Sequence, residues 1–88
     1  MQMKLSLNEK EVSLVLQNGD KIIDKKQWID ENNLLEKFFP ILDDMLARNN
    51  LTIQDINHCD LVTSIPRGHT TARIARTIIK TINFALTS

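Results

Sequence analysis

A chain of 88 residues with a formal net charge of zero and 42% apolar residues has room for one small domain, spanning 1–88, with one sheet and two main helices. The charge is uneven: residues 1–59 carry seven Lys or Arg against ten Asp or Glu, and residues 60–88 carry four against Asp60 alone, which allows an anionic partner at the C-terminal part without demanding one. The single cysteine, Cys59, excludes a disulfide scaffold, and no apolar run reaches the roughly 20 residues of a membrane-spanning helix, so a soluble, cytoplasmic protein with no membrane contact is expected.

The first third reads as strands. Met3, Leu5 and Leu7 alternate with Lys4, Ser6 and Asn8, and Val12, Leu14 and Leu16 alternate with Ser13, Val15 and Gln17, the period of half-buried strands. Asn18-Gly19 supplies the residues of a tight hairpin turn. A third strand is expected from about Lys21 to Trp28, less regular because Ile22 and Ile23 are adjacent. Trp28 is read as capping the sheet edge or the core, with a partner contact as the alternative.

Between Asn33 and Asn50 the apolar period becomes helical and forms two seams. Leu35, Phe39, Leu42 and Leu46 make one stripe; Leu34, Phe38, Ile41 and Met45 make another, about 100° away. A helix lying on a small sheet needs only the first. The second seam is either the flank of a wide core-facing stripe or a surface that packs on another helix. Pro40 inside the pattern predicts a bend, or a helix starting near Phe38 with the proline in its first turn. Asp43 and Asp44 fall on the polar side.

Thr52-Ile53-Gln54-Asp55 predicts a capping box opening a short helical turn, followed by a strand around Asp60 to Ser64 centred on Leu61 and Val62. A sharp corner with Pro66 and Gly68 then leads into a helix from about Thr70 to Leu86. Arg67, Gly68, His69, Thr70, Thr71 and Arg73 gather N–H, hydroxyl and basic groups at that helix start, where an anion is favoured. One glycine is nonetheless too few for a phosphate-cradling loop, and a plain strand-to-helix corner is the simpler reading. On the helix, Ile74, Ile78, Ile82 and Ala85 form one apolar stripe, while Ala72, Ala75, Ile79 and Leu86 form a neighbouring one whose small residues permit close helix approach. His69, Arg73, Arg76 and Lys80 line a basic stripe, a solvated face or, with Arg67, a nucleic-acid contact.

No metal site is expected, because beside His58 and Cys59 only His69 offers a further soft ligand. Cys59 is read as a small residue packed near a strand start. No cofactor is expected, and no catalysis: the sequence gathers no carboxylates for a ribonuclease H-type metal centre and pairs no nucleophile with a base.

The order strand, strand, strand, helix, strand, helix (βββαβα) is that of a ribonuclease H-like, actin-like ATPase half-domain, an α/β fold with a mixed sheet. Within that order the chain resembles the N-terminal domain of the TsaB family of tRNA threonylcarbamoyladenosine biosynthesis proteins. The family pattern Leu-Leu-Pro corresponds to Phe38-Phe39-Pro40, and Leu-Ser-x-x-Asp to Leu51-Thr52-Ile53-Gln54-Asp55. Gly-Pro-Gly-Ser-Phe-Thr-Gly-Leu-Arg-Ile-Gly corresponds to the run Ile65 to Ala75, with Pro66, Thr70, Arg73 and Ile74 matching position by position and Lys80 where the family often has lysine. Three motif glycines are replaced by Ile65, Arg67 and Thr71, the usual Asp-Thr-Ser after the first strand is absent, and the family's second actin-like domain has no counterpart in these 88 residues.

The resemblance implies a non-catalytic scaffold or interaction subunit that packs its two helices against those of a TsaD-like enzyme or of a second copy of itself, in tRNA threonylcarbamoyladenosine modification, with tRNA contact indirect. The partner interface is therefore expected at Leu34, Phe38, Ile41, Met45, Ala72, Ala75 and Ile79. The alternative is a small RNA-binding module using Arg67, His69, Arg73, Arg76 and Lys80.

Overall fold

The computed structural model describes residues 1–31, 33–65 and 68–87, with Thr87 by its backbone alone. β1 (Gln2–Asn8), β2 (Glu11–Asn18) and β3 (Lys21–Ile29) form an antiparallel meander, α1 (Leu34–Arg48) follows, and a single 3-10 turn (Ile53–Asp55) leads into β4 (His58–Thr63) and then α2 (Thr70–Thr87). The sheet order is β3-β2-β1-β4, with β4 parallel to β1. The expected βββαβα order and mixed sheet are thus what the chain adopts.

Strict alternation sets the layers. Met3, Leu5 and Leu7 pair with Leu16, Leu14 and Val12 on one side and with Cys59, Leu61 and Thr63 on the other. The six β1 and β2 side chains and Cys59 are almost fully buried. Both helices cover that same face, adding Leu34, Phe38, Leu42, Met45 and Leu46 from α1 and Ala75, Ile78, Ile79 and Ile82 from α2. The opposite face carries no helix and is mixed: Lys4, Ser6, Ser13 and Gln17 stand beside Val15 and the exposed Ile22, Ile29 and Val62.

Several local expectations are refined. The β2–β3 turn is made by Gly19-Asp20, one residue later than Asn18-Gly19, because Asn18 still pairs with Lys21. Gly19 has φ +64, at the first central position where a type II′ hairpin requires it. Ile22 and Ile23 are adjacent because the pairing slips between Leu16 and Gln17, which face Asp24 and Ile22. Ile23 is the extra residue of that bulge and packs on the core, while Ile22 is exposed. Beyond the bulge Asp24, Lys26 and Trp28 share the helix-side face, and Trp28 lies half-buried against the core.

Pro40 neither starts nor interrupts α1, which is continuous from Leu34. Glu36 and Pro40 are both exposed, so the carbonyl deprived of its donor at Glu36 is on the side where water can replace it. The short turn after Leu51 is closed as expected: the Thr52 N–H donates to Asp55 Oδ2 (2.8 Å) and the Asp55 N–H to the Thr52 carbonyl (3.0 Å).

A polar clasp ties β3 to the end of α1. Asp24 Oδ2 accepts from Arg48 Nη2 (2.7 Å), Arg48 Nε (3.1 Å) and Asn49 Nδ2 (2.9 Å), while its Oδ1 accepts from the Lys25 N–H (2.8 Å). Partial burial pulls the Asp24 carboxyl upward, but the bonds from Asn49, Arg48 and the Lys25 N–H, with the Arg48 charge, outweigh it and hold the group below the usual carboxylate value. A carboxylate depressed in the folded state contributes stability above its unfolded value, near about 4, and loses it as pH falls through the folded one. The Asp24→Asn variant is accordingly expected to melt below the parent at neutral pH, with the gap closing below about pH 4. A gap that widens on acidification would contradict this.

Candidate functional site

The packing of α1 makes its second seam part of a wide core-facing stripe and leaves the start of the first one outside. Leu34, Phe38 and Met45 are 2%, 0% and 1% exposed and belong to the core, with Ile41 half-buried beside them. Ala72, Ala75 and Ile79 of α2 are likewise buried. Leu34, Phe38, Met45, Ala72, Ala75 and Ile79 hold the helices on the sheet and leave little surface for a partner, which corrects the interface expected at those residues; Ile41 keeps part of its surface exposed. The other stripe divides: Leu42 and Leu46 go inside, while Leu35 and Phe39, a turn or more earlier, are 55% and 37% exposed.

What makes the difference is α2. Leu35 and Phe39 form one wall of an open groove of about 520 Å³, and Thr70, Arg73, Ile74, Thr77, Ile78 and Thr81 form the other. The α2 residues 70, 74, 77 and 81 recur at the +4, +3, +4 spacing of one helix face. Two of the threonines are less polar than their names suggest. Thr77 Oγ1 donates to the Arg73 carbonyl (3.0 Å) and Thr81 Oγ1 to the Thr77 carbonyl (2.8 Å), so both hydroxyls are spent on the helix backbone. Phe39 is set by its neighbour: its ring meets the buried Phe38 ring edge-on, with centroids 5.2 Å apart at 87°. The groove is thus a largely apolar strip with one wall braced from the core and Arg73 on the other, a surface suited to receive a helix or a side chain.

The strand-to-helix corner is a different environment. Pro66 and Arg67 lie outside the described residues. Among the described residues, Asn8, Glu9, Lys10, Glu11, Ile29, Asp30, Ser64, Ile65, His69 and Thr71 line a cleft of about 760 Å³. The hydroxyls of β4's end are already engaged, with Ser64 Oγ donating to Asn8 Oδ1 (2.7 Å) and Thr63 Oγ1 accepting from the Ile65 N–H (3.1 Å). Asp30, 6% exposed, accepts from the Asn33 N–H (3.1 Å) and donates its own N–H to the Lys10 carbonyl (2.7 Å). With Glu9, Glu11 and Asp30 on the walls, the described part of the corner is electrostatically poor for an anion, and the anion reading gains nothing from it.

His58 and Cys59 are neighbours in sequence but point to opposite faces of β4. His58 pairs with Asp60 (2.7 Å) on the open face. The Cys59 thiol is pushed up to about 12 by burial and secondarily by the Asp60 carboxylate, which makes it an inert packing residue. Among the described residues no three His, Cys, Asp or Glu side chains gather as a metal site, and no helix is long and apolar enough to cross a membrane. Of the basic stripe, His69, Arg73 and Lys80 are exposed and Arg76 is half-buried; Arg67 is outside the described residues.

No protein-family model and no curated protein sequence matches the chain. Solved structures do. YeaZ from Pseudomonas aeruginosa, of the TsaB family, superposes with a TM-score of 0.77 over 99% of this chain at 18% identity, and a second structure, of an uncharacterized Pseudomonas aeruginosa protein with similarity to peptidase YeaZ, gives 0.77, 99% and 18%. The chain spans about two fifths of their length, 41% and 40%. The fold is that of a YeaZ half-domain, of the actin-like ATPase type.

Proposed function

We propose that this chain is a TsaB-like binding subunit in tRNA threonylcarbamoyladenosine modification, without catalytic activity of its own, and that it associates through the α1–α2 groove with a TsaD-like protein or with a second copy of itself. The observation that carries the reading is the apolar strip of Leu35, Phe39 and Ile74, held open between the only two long helices of the described residues. Covering the 55% of Leu35 and the 37% of Phe39 that remain exposed is worth about 0.5–1.5 kcal/mol each, an incentive that a solvated helix face lacks. The YeaZ-like fold supports the same reading.

Mixed with a TsaD-like protein from the same cell, the chain is expected to co-elute in gel filtration, and titration with ATP in a calorimeter is expected to give no binding heat for the chain by itself. Separate elution from every such partner together with a monomeric state would remove the scaffold reading. A micromolar dissociation constant for ATP would replace it with a nucleotide-dependent one.

A further inference from the structure

The α1–α2 groove is flanked by two pairs of charges that the reading above leaves unused. On α1, Glu36 and Asp43 lie about 40–60° round the helix from Phe39, on the side away from the sheet; on α2, Arg73 and Lys80 lie as far round from Thr77, again on the outer side. All four are exposed, and none forms an ion pair among the described residues. The members of each pair are seven residues apart, two turns or about 10.5 Å, so the acidic and the basic pair have the same span. An apolar strip thus runs between an acidic shoulder and a basic one.

The direction of the helices decides what this pattern fits. β3 and β4 are parallel, because β3 and β1 both run antiparallel to β2 and β4 runs parallel to β1. The end of α1 returns to the first half of β3 through Arg48 and Asn49 on Asp24, and the end of α2 returns to the start of β4 through Asn83 on Cys59. Both helices therefore run the same way. Leu35 and Phe39 stand against residues 70–81 across the groove, which sets Glu36 near the level of Arg73 and Asp43 near that of Lys80.

A second copy facing this surface is related to it by a two-fold axis either across the helices or along the groove. Across, α1 lies on α1 and carboxylate meets carboxylate. Along the groove, α1 of each protomer lies over α2 of the other and every residue keeps its level, so acid meets base at both levels and on both sides of the axis. We propose, on the reading that the groove is the docking surface, that its occupant is a second copy of this chain in the second arrangement, held by the ion pairs Glu36–Arg73 and Asp43–Lys80 between protomers. The charges select partner and register, while the strip of Leu35, Phe39 and Ile74 supplies the apolar burial.

Sedimentation equilibrium of the full chain tests this with two variants. Glu36→Lys with Asp43→Lys is expected to weaken self-association at least about tenfold at low salt, and the loss is expected to shrink in about 1 M salt, where charges are screened beyond about 3 Å. Adding Arg73→Glu and Lys80→Glu to the same chain is expected to restore self-association to within about threefold of the parent, while this fourfold variant does not pair with labelled parent chain. A fourfold variant that associates no better than the twofold one, or that mixes freely with the parent, would overturn the proposal. So would a parent that is monomeric at high micromolar concentration yet co-elutes with a TsaD-like protein, or self-association that Leu35→Glu with Phe39→Glu abolishes and neither charge variant changes; both of these leave the groove reading standing. A monomeric parent that binds no TsaD-like protein would remove the two together.

Discussion

Phe38→Ala is expected to cost about 3–5 kcal/mol of folding stability, while Phe39→Ala, one position on and 37% exposed, costs about 1–2 kcal/mol. Phe38 is fully buried between the helices and the sheet, so its removal loses the transfer energy of an aromatic side chain and leaves a cavity that its neighbours fill only in part. A domain of 88 residues has about 4–13 kcal/mol in total, and the first variant therefore sits at or beyond the limit of folding. Phe39 keeps part of its surface in water and gives up mainly its edge-on contact with Phe38. Urea denaturation of the two variants beside the parent checks this. A larger loss from Phe39→Ala than from Phe38→Ala would mean that α1 is rotated by about 100° from the orientation described.

The second large effect is on association. Leu35→Glu with Phe39→Glu is expected to weaken self-association or TsaD-like partner binding by more than about a hundredfold, with a smaller loss of folding stability than Phe38→Ala. Covering what is exposed of the two apolar side chains is worth about 0.5–1.5 kcal/mol each, and two carboxylates would in addition have to be desolvated to restore the interface; about 2.7 kcal/mol already amounts to a hundredfold. The folded monomer tolerates the change because both side chains already reach solvent and acidic residues suit the first turns of a helix. Light scattering across a concentration series measures it, and an unchanged association constant would show that the groove is not the docking surface.

The sheet was readable from alternation, since Met3, Leu5, Leu7, Val12, Leu14 and Leu16 could only share one buried face. The βββαβα order followed from the change of period at Asn33 and again after Ser64. The bulge at Ile23 was visible only as an irregularity, because sequence does not say which of two adjacent isoleucines is the extra one. The two seams of α1 were seen, and the reading of a wide core-facing stripe is the one adopted, with Leu34, Phe38, Leu42, Met45 and Leu46 all inside; that Leu35 and Phe39 are left out of it could not be read, because it depends on how α1 meets α2. A signal for the groove was present in the Thr70, Ile74, Thr77, Thr81 spacing. It is hidden by counting threonine as polar, although a threonine whose hydroxyl bonds its own helix presents a methyl group outward. Asn83 gave no signal at all, since its partner is the backbone of Cys59, 24 residues away.

The most direct test of the docking surface is a nuclear magnetic resonance map of backbone amide shifts as the protein is taken from dilute to high micromolar concentration, or titrated with a TsaD-like partner. Perturbations confined to residues 35–43 and 70–81 are predicted. Perturbations on the open face of the sheet or along β3, with the groove unmoved, would contradict the account.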